Sequence, residues 1–210
     1  MNAYYKDDHV TIYNADCREI IGDIGVFDML VTDPPYGMEF QSGHRKRKHK
    51  KIYGDAVFDI DLIMRLMKLS RAASYIFCRW DNLLYMPKPK SCLAWVKNNW
   101  SMGDLKHEHG RQWEACCFYP GEYHKFTKRI PDVITAKKTG NVNHPTEKPV
   151  SVLTKIIECN VCESILDPFA GSGSTGRAAK DLGKKATLIE IDESYCEISA
   201  NRMLQESLFF

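Results

Sequence analysis

The chain falls into apolar stretches of two kinds, short runs at strand length and longer ones at helical spacing. His9 to Tyr13 predicts a short strand. Val26 to Thr32 predicts a buried one, ended by Asp33-Pro34-Pro35. Asp59 to Leu69 has helical spacing through Ile60, Ile63, Met64 and Met67, and Ser74 to Cys78, Cys92 to Val96 and Ala115 to Tyr119 read as strands. Residues 98 to 145, rich in Asn, Gly, His and Lys, read as mainly loop.

The C-terminal third is patterned more sharply. Pro149 suits the first turn of a helix that places Val150, Leu153, Ile156 and Ile157 on one face. Ser164 to Leu166 predicts a strand, Gly171 to Gly176 a glycine-rich turn, and Arg177 to Leu182 a helix stopped by Gly183. A strand over Ala186 to Ile191 and a helix over Glu193 to Leu204 complete the pattern. Strands alternating with helices predict an α/β fold with a mostly parallel sheet covered on both faces.

With 210 residues, 44% hydrophobic and 27% charged, the chain suits one such domain. No basic start leads into an apolar run, and no apolar stretch reaches membrane-spanning length, so the expected location is the cytoplasm and no membrane partner is expected. The eight cysteines are then expected as thiols. Cys159 and Cys162 form a lone CxxC without the further ligands a structural zinc ion needs, so they read as small buried hydrophobes and no metal is expected. Net charge is only +2, but Arg45, Lys46, Arg47, Lys48, Lys50 and Lys51 crowd six positive charges into seven residues, against −4 on the remainder. Such a run is either a phosphate contact or a solvated loop; charge alone does not choose.

Chemistry concentrates at two places. The segment Asp167-Pro-Phe-Ala-Gly171-Ser172-Gly173-Ser174-Thr175-Gly176 lies between a predicted strand and helix, where glycines let the backbone turn against a ligand. Glu190 closes the following strand, where a carboxylate can accept bonds from two ribose hydroxyls. This pattern suits a nicotinamide cofactor as well as S-adenosylmethionine, and a turn that serves only packing would look similar; no Gly-Lys-Ser/Thr marks it as a P-loop. The second place is Asp33-Pro34-Pro35-Tyr36. A base amine is a poor nucleophile because its lone pair is delocalised into the ring. The Asp33 carboxylate and the Pro34 carbonyl can each accept an amine hydrogen and stabilise the charge that develops on attack. The prolines fix those acceptors, and Tyr36 offers a face for a flipped-out base.

In these motifs the chain resembles the β type of amino-group DNA methyltransferases. It has that group's DPPY motif at Asp33 to Tyr36, followed late in the chain by its cofactor motif at Asp167 to Thr175. Between them, His144-Pro145-Thr146-Glu147-Lys148-Pro149 is similar to the family's HPT-x-KP segment, and Trp95-Val96-Lys97 and Arg111-Gln112-Trp113-Glu114 to its middle strands; the N-terminal Asn14-Ala15-Asp16-Cys17 is similar to its Gly-Asp-Cys segment. The resemblance implies a Rossmann-like, seven-stranded methyltransferase fold, circularly permuted so that the catalytic half comes first. It implies that Phe169, Gly171, Gly173 and Thr175, within the Asp167 to Thr175 motif that also holds Ser172 and Ser174, line the methionine part of S-adenosylmethionine. Glu190 would hold the ribose, Asp16 with the Cys17 backbone the adenine, and Thr146 and Lys148 the cofactor carboxylate.

The implied reaction is direct methyl transfer to N6 of adenine in double-stranded DNA, without metal or covalent enzyme intermediate. N4 of cytosine is the alternative, because aspartate leading the motif favours adenine in this family and serine cytosine. RNA or protein-glutamine methylation and DNA binding without catalysis are more distant alternatives. The basic run, just beyond Tyr36, gains a place beside DNA, in a loop at about residues 37 to 56. His107, His109, Trp113, Tyr119, Tyr123 and His124 are candidates for target recognition, in a short segment at about 98 to 145. Family members commonly carry a larger recognition insert, which leaves room for a homodimer or a cognate restriction endonuclease as partner. A bacterial orphan enzyme, a restriction-modification enzyme and a phage enzyme would share these residues.

Overall fold

The run Phe27–Thr32 is the central strand of a nine-stranded sheet in the computed structural model, which describes residues 2–37, 58–101, 106–107, 109–138 and 147–205. In chain order the elements are β1 (Tyr5–Lys6), β2 (Val10–Asn14), α1 (Cys17–Ile20), β3 (Phe27–Thr32), α2 (Ile60–Met67), β4 (Ser70–Cys78), β5 (Ser91–Ser101), β6 (Arg111–Pro120), β7 (Val133–Thr135), α3 (Val150–Glu158), β8 (Ser164–Asp167), α4 (Ser174–Asp181), β9 (Lys185–Glu190) and α5 (Glu193–Met203). The sheet order is β1-β2-β9-β8-β3-β4-β6-β5-β7. From β2 to β4 all neighbours are parallel; β6 is antiparallel to both β4 and β5. Seven strands were expected; among the described residues the nine include the two- and three-residue edge strands β1 and β7.

Both faces of the parallel core are covered, which is why β3 reads as an apolar run rather than an alternation. Met29 and Val31 pack with residues of α3, α4 and α5, among them Ile156, Ala178 and Cys196. Leu30 points the other way, to Ile20 after α1 has begun and to Leu62 and Leu66 of α2. The chain leaves β3 for β4 on one side and β8 for β9 on the other, so the strand order reverses between β3 and β8. In open α/β sheets that crevice, at the carboxyl ends of the strands, is where ligands bind. Asp33 and the glycine turn both open onto it.

Three expectations need correction. Residues 98 to 145 are less loop-dominated than read, since β5 runs to Ser101, β6 begins at Arg111 and β7 lies within the segment. Asn98, Asn99 and Gly110 disguise the hairpin, which pairs Val96 with Trp113 and Ser101 with Arg111 and shifts register between them. Helix α4 begins at Ser174, so Gly176 is helical rather than part of the turn. A Cβ on Gly176 would come within 2.5 Å of Leu188 Cδ1, so glycine here serves close packing of α4 on β9. Pro149 is the cap before α3 rather than its first residue. All eight cysteines are free thiols, with Cys159 and Cys162 buried between α3 and β8.

Gly173 caps α4 in the left-handed region at φ 78°, and a Cβ there would lie 2.1 Å from Ser199 Oγ and 2.9 Å from Ser199 Cβ. Gly173→Ala is therefore expected to lower unfolding free energy by about 2–4 kcal/mol, from left-handed strain plus overpacking against α5. Urea denaturation followed by circular dichroism checks this; an unchanged midpoint would mean the turn relaxes freely.

Candidate active site

The ends of β3, β4 and β5 and the start of β6 meet at one edge of the sheet, because β6 runs against its neighbours. Asp33, Lys97 and Glu114 reach that edge from β3, β5 and β6. Asp33 follows β3; its Oδ1 accepts the Tyr36 hydroxyl, and its Oδ2 is paired with Lys148 Nζ, from the segment before α3. Lys148 Nζ also lies 3.4 Å from the Tyr36 hydroxyl oxygen and 3.1 Å from Glu114 Oε2 on β6. Glu114 Oε1 in turn accepts a bond from Lys97 Nζ of β5 at 2.5 Å. The result is a row of alternating charge, Asp33, Lys148, Glu114, Lys97, walled by aromatic rings. Lys148 Nζ is 5.2 Å from the Phe77 ring centre and 5.7 Å from that of Tyr36, and Lys97 Nζ 5.0 Å from that of Trp95.

Burial and pairing pull these groups in opposite directions. At Asp33 burial wins: the carboxyl pKa is raised despite the opposing pull of Lys148. At Glu114, flanked by two lysines, the lysines win and the pKa is lowered. Burial acts to lower Lys148, but Asp33 and Glu114 outweigh it and hold the ammonium above its ordinary value. The directions at Glu114 and Lys148 favour their charged forms, whereas that at Asp33 favours the neutral acid and makes its charge depend on the Lys148 ammonium.

The glycine turn is built from Asp167 outward. Its Oδ1 accepts from Thr32 Oγ1 (2.8 Å) and the Phe169 amide (3.2 Å), and its Oδ2 from Thr175 Oγ1 (2.6 Å). The Thr32 bond ties the last residue of β3 to the last of β8, fixing the Asp33 segment against the turn. Burial, partly offset by these bonds, pushes Asp167 up to about 6. Glu190 accepts the Gly171 amide (2.8 Å) on Oε2 and the Asp192 amide (2.9 Å) on Oε1, and burial raises its pKa too. Ser174 Oγ accepts from Arg202, which also pairs with Glu147; that contact fastens the Lys148 segment to α5. Asp16 caps α1 through the Arg18 amide and pairs with the Arg18 guanidinium, which lowers its pKa; Cys17 is buried beside it. Two loops of different origin thus share one crevice.

A family model described as DNA methylase matches residues 88–201. The putative methylase YubD of Escherichia coli K12 is 30% identical over 210 residues, covering 90% of this chain and 87% of that protein. The DNA adenine methyltransferase YhdJ of the same strain is 43% identical over 224 residues, covering 84% and 76%. Among solved structures, an M1.HpyAVI–SAM complex superposes with a TM-score of 0.70 at 26% identity, covering 92% of this chain and 99% of that one. The chain belongs to the DNA methylase family.

In this DNA methylase the expected catalytic residues Asp33, Pro34, Pro35 and Tyr36 lie together at the β3 end, with Pro34 buried. The structure brings Lys148 to Asp33 and Glu114, a contact that the resemblance, which assigned it to the cofactor carboxylate, did not imply. Phe169, Gly171, Ser172, Gly173, Ser174 and Thr175 form the turn beside Glu190; Ser172, Ser174 and Thr175 are buried. The hydroxyls of Ser174 and Thr175 are used within the protein. Thr146 and the basic run Arg45 to Lys51 lie outside the described residues. Of the recognition candidates, Tyr119 donates to the Pro87 carbonyl, and His124 meets Phe118 and Phe126 edge-on, so these two pack. His107, His109, Trp113 and Tyr123 are exposed.

Sequence reading did not single out Glu114 or Lys97 as site residues. A signal existed: Leu93, Trp95 and Lys97 share one strand face, as do Glu114, Cys116 and Phe118. A charged residue that ends a core-facing stripe is costly unless paired, and here the two pair with each other.

Proposed function

We propose that this methylase transfers the methyl group of S-adenosylmethionine to N6 of adenine in double-stranded DNA. One observation carries the reading: Asp33, an acceptor suited to a base amine, stands beside the glycine turn and is tied to it through Thr32 and Asp167. The crevice also suits the donor. Asp33, Glu190 and Asp16 bring carboxylates to it, the first and last paired with Lys148 and Arg18, and residues 171 to 176 carry no lysine or arginine. This favours a cationic sulfonium with a ribose over the anionic pyrophosphate of a nicotinamide dinucleotide.

S-adenosylmethionine supplies an electrophilic methyl group; the protein positions what attacks it. Asp33 and the Pro34 carbonyl accept the hydrogens of the target amine and favour the tetrahedral nitrogen of attack. Tyr36, steadied by its bond to Asp33, presents its ring to the flipped base. Glu190 holds the ribose, Asp16 and the Cys17 backbone the adenine of the donor, and Phe169 to Thr175 its methionine part. The whole chain acts as one methyltransferase domain, in the cytoplasm. Its loop at about 37 to 56 contacts phosphates through Arg45 to Lys51, and its segment at about 98 to 145 reads the target. No helix among the described residues is long and apolar enough to cross a membrane. A second copy of the chain, or a cognate endonuclease, remains part of the reading; sedimentation of the protein with and without DNA tests the first.

The deciding experiment incubates the protein with unmethylated genomic DNA and labelled S-adenosylmethionine, then digests to nucleosides for mass spectrometry. Label in 6-methyladenine is expected; label in 4-methylcytosine would change the base, and none would overturn the reading. For the donor site, Glu190→Gln is expected to weaken S-adenosylmethionine binding by about 10–100-fold, the loss of a charge-assisted bond, by calorimetry. DNA affinity should hold; unchanged donor affinity would move the ribose elsewhere.

A further inference from the structure

Both oxygens of Asp33 are already engaged, Oδ1 by the Tyr36 hydroxyl and Oδ2 by the Lys148 ammonium. A target amine that donates to Asp33 must therefore share or displace one of them. Tyr36 is a neighbour in the same turn, and its bond is compatible with stacking on a base. Lys148 is different, because it brings a full positive charge to the place where the attacking nitrogen itself becomes positive. Two cations on one carboxylate would work against the reaction.

An alternative seat for the ammonium is already built. Glu114 is held through Oε1 by Lys97, a lysine only 6% exposed, and turns Oε2 toward Lys148 at 3.1 Å. That oxygen is buried and makes no hydrogen bond. The Phe77 and Tyr36 rings flank the ammonium on the way. We propose that Glu114 is a positioning residue that receives Lys148 when the target amine takes its place at Asp33 Oδ2. Lys97 keeps Glu114 fixed and ionised, so the row of four charges stays neutral in both arrangements. Lys148 orients Asp33 while the crevice is empty of base, and withdraws without leaving a buried charge unpaired. This rests on the assignment of Asp33 as acceptor for the base amine.

The test is steady-state methylation of DNA at about pH 9, on the alkaline side where a raised carboxyl is more fully ionised, while Lys148, pushed up to about 12, is still an ammonium. Glu114→Gln is expected to keep KM for S-adenosylmethionine and DNA within about twofold and to lower kcat about 100-fold, since the ammonium then has only Asp33 to pair with. Adding Lys148→Met to Glu114→Gln removes the obstruction, and the double variant is expected to run at least about 10-fold faster than Glu114→Gln alone. A gain below that, or a Glu114→Gln enzyme with wild-type kcat, overturns the proposal; a residue that merely supports the fold would not be rescued by a second loss. If Glu114→Gln fails to fold, the double variant is compared with Lys148→Met. Rates within about threefold are expected, because Glu114 has no task once the ammonium is gone, and a larger deficit overturns the proposal. Wild-type enzyme in the same assay separates the two levels: if it forms no 6-methyladenine the functional reading fails, whereas activity without rescue sinks only the role of Glu114.

Discussion

Asp33→Ala is expected to reduce the methylation rate by about 10²–10³-fold or more while leaving S-adenosylmethionine affinity within a few-fold. In the proposed role the carboxylate acts on the amine only as charge develops, so its loss should fall on kcat rather than on donor binding. Asp33→Asn makes the sharper comparison. It keeps the shape and one acceptor but removes the negative charge, and leaves Lys148 paired with Glu114 alone. If charge stabilisation is the main contribution, Asn should be nearly as slow as Ala. Single-turnover methylation with 6-methyladenine as the readout distinguishes them. An Asn enzyme close to wild-type speed would mean that Asp33 orients the amine and that its charge contributes little.

Lys148→Met should produce the second large effect, and one that depends on pH. Burial already raises the Asp33 carboxyl, and Lys148 is the main opposing influence; Glu114 raises it further, and Tyr36 lowers it through its hydroxyl. Losing the ammonium removes the main influence that lowers the Asp33 carboxyl, so its pKa rises further. A carboxyl with a raised pKa is protonated below it and becomes an acceptor anion only as the pH climbs through it. The variant is therefore expected to be about 10–10³-fold slower than wild type on the acid side of its profile, and to recover as the pH rises. A plot of kcat against pH checks this directly. If the whole profile drops without moving, Lys148 serves something other than the charge state of Asp33.

Both predictions depend on a contact between residues 115 positions apart, and this marks what could and could not be read in advance. Local chemistry was legible. A glycine turn between strand and helix, an Asp-Pro-Pro-Tyr that ends an apolar run, and a proline before an amphipathic helix are each governed by backbone sterics within a few residues. Those rules placed Asp33 to Tyr36, Asp167 to Thr175 and Glu190 at strand ends, and the α/β class followed from the alternation of periods. The start of α4 was misread because glycine is usually a breaker. Gly176 is in the helix, and it is glycine because Leu188, on another strand, leaves no room for a side chain.

The hairpin of β5 and β6 was half missed for the same reason. Its outer part is polar, with Asn98, Asn99 and Gly110 where alternating apolar residues would mark strands, and its register shifts between Val96 and Ser101. The sequence by itself determined the two motifs and the edge of the sheet that each would occupy, because strand direction and turn chemistry are local. The tertiary structure alone decided that β6 runs against its neighbours and carries Glu114 to that edge. It also decided that Lys97 reaches Glu114, and that Lys148 lies between Glu114 and Asp33. A buried charge is tolerated only beside its opposite. Which opposite it finds depends on strand order, a property of the packed sheet rather than of any segment in it.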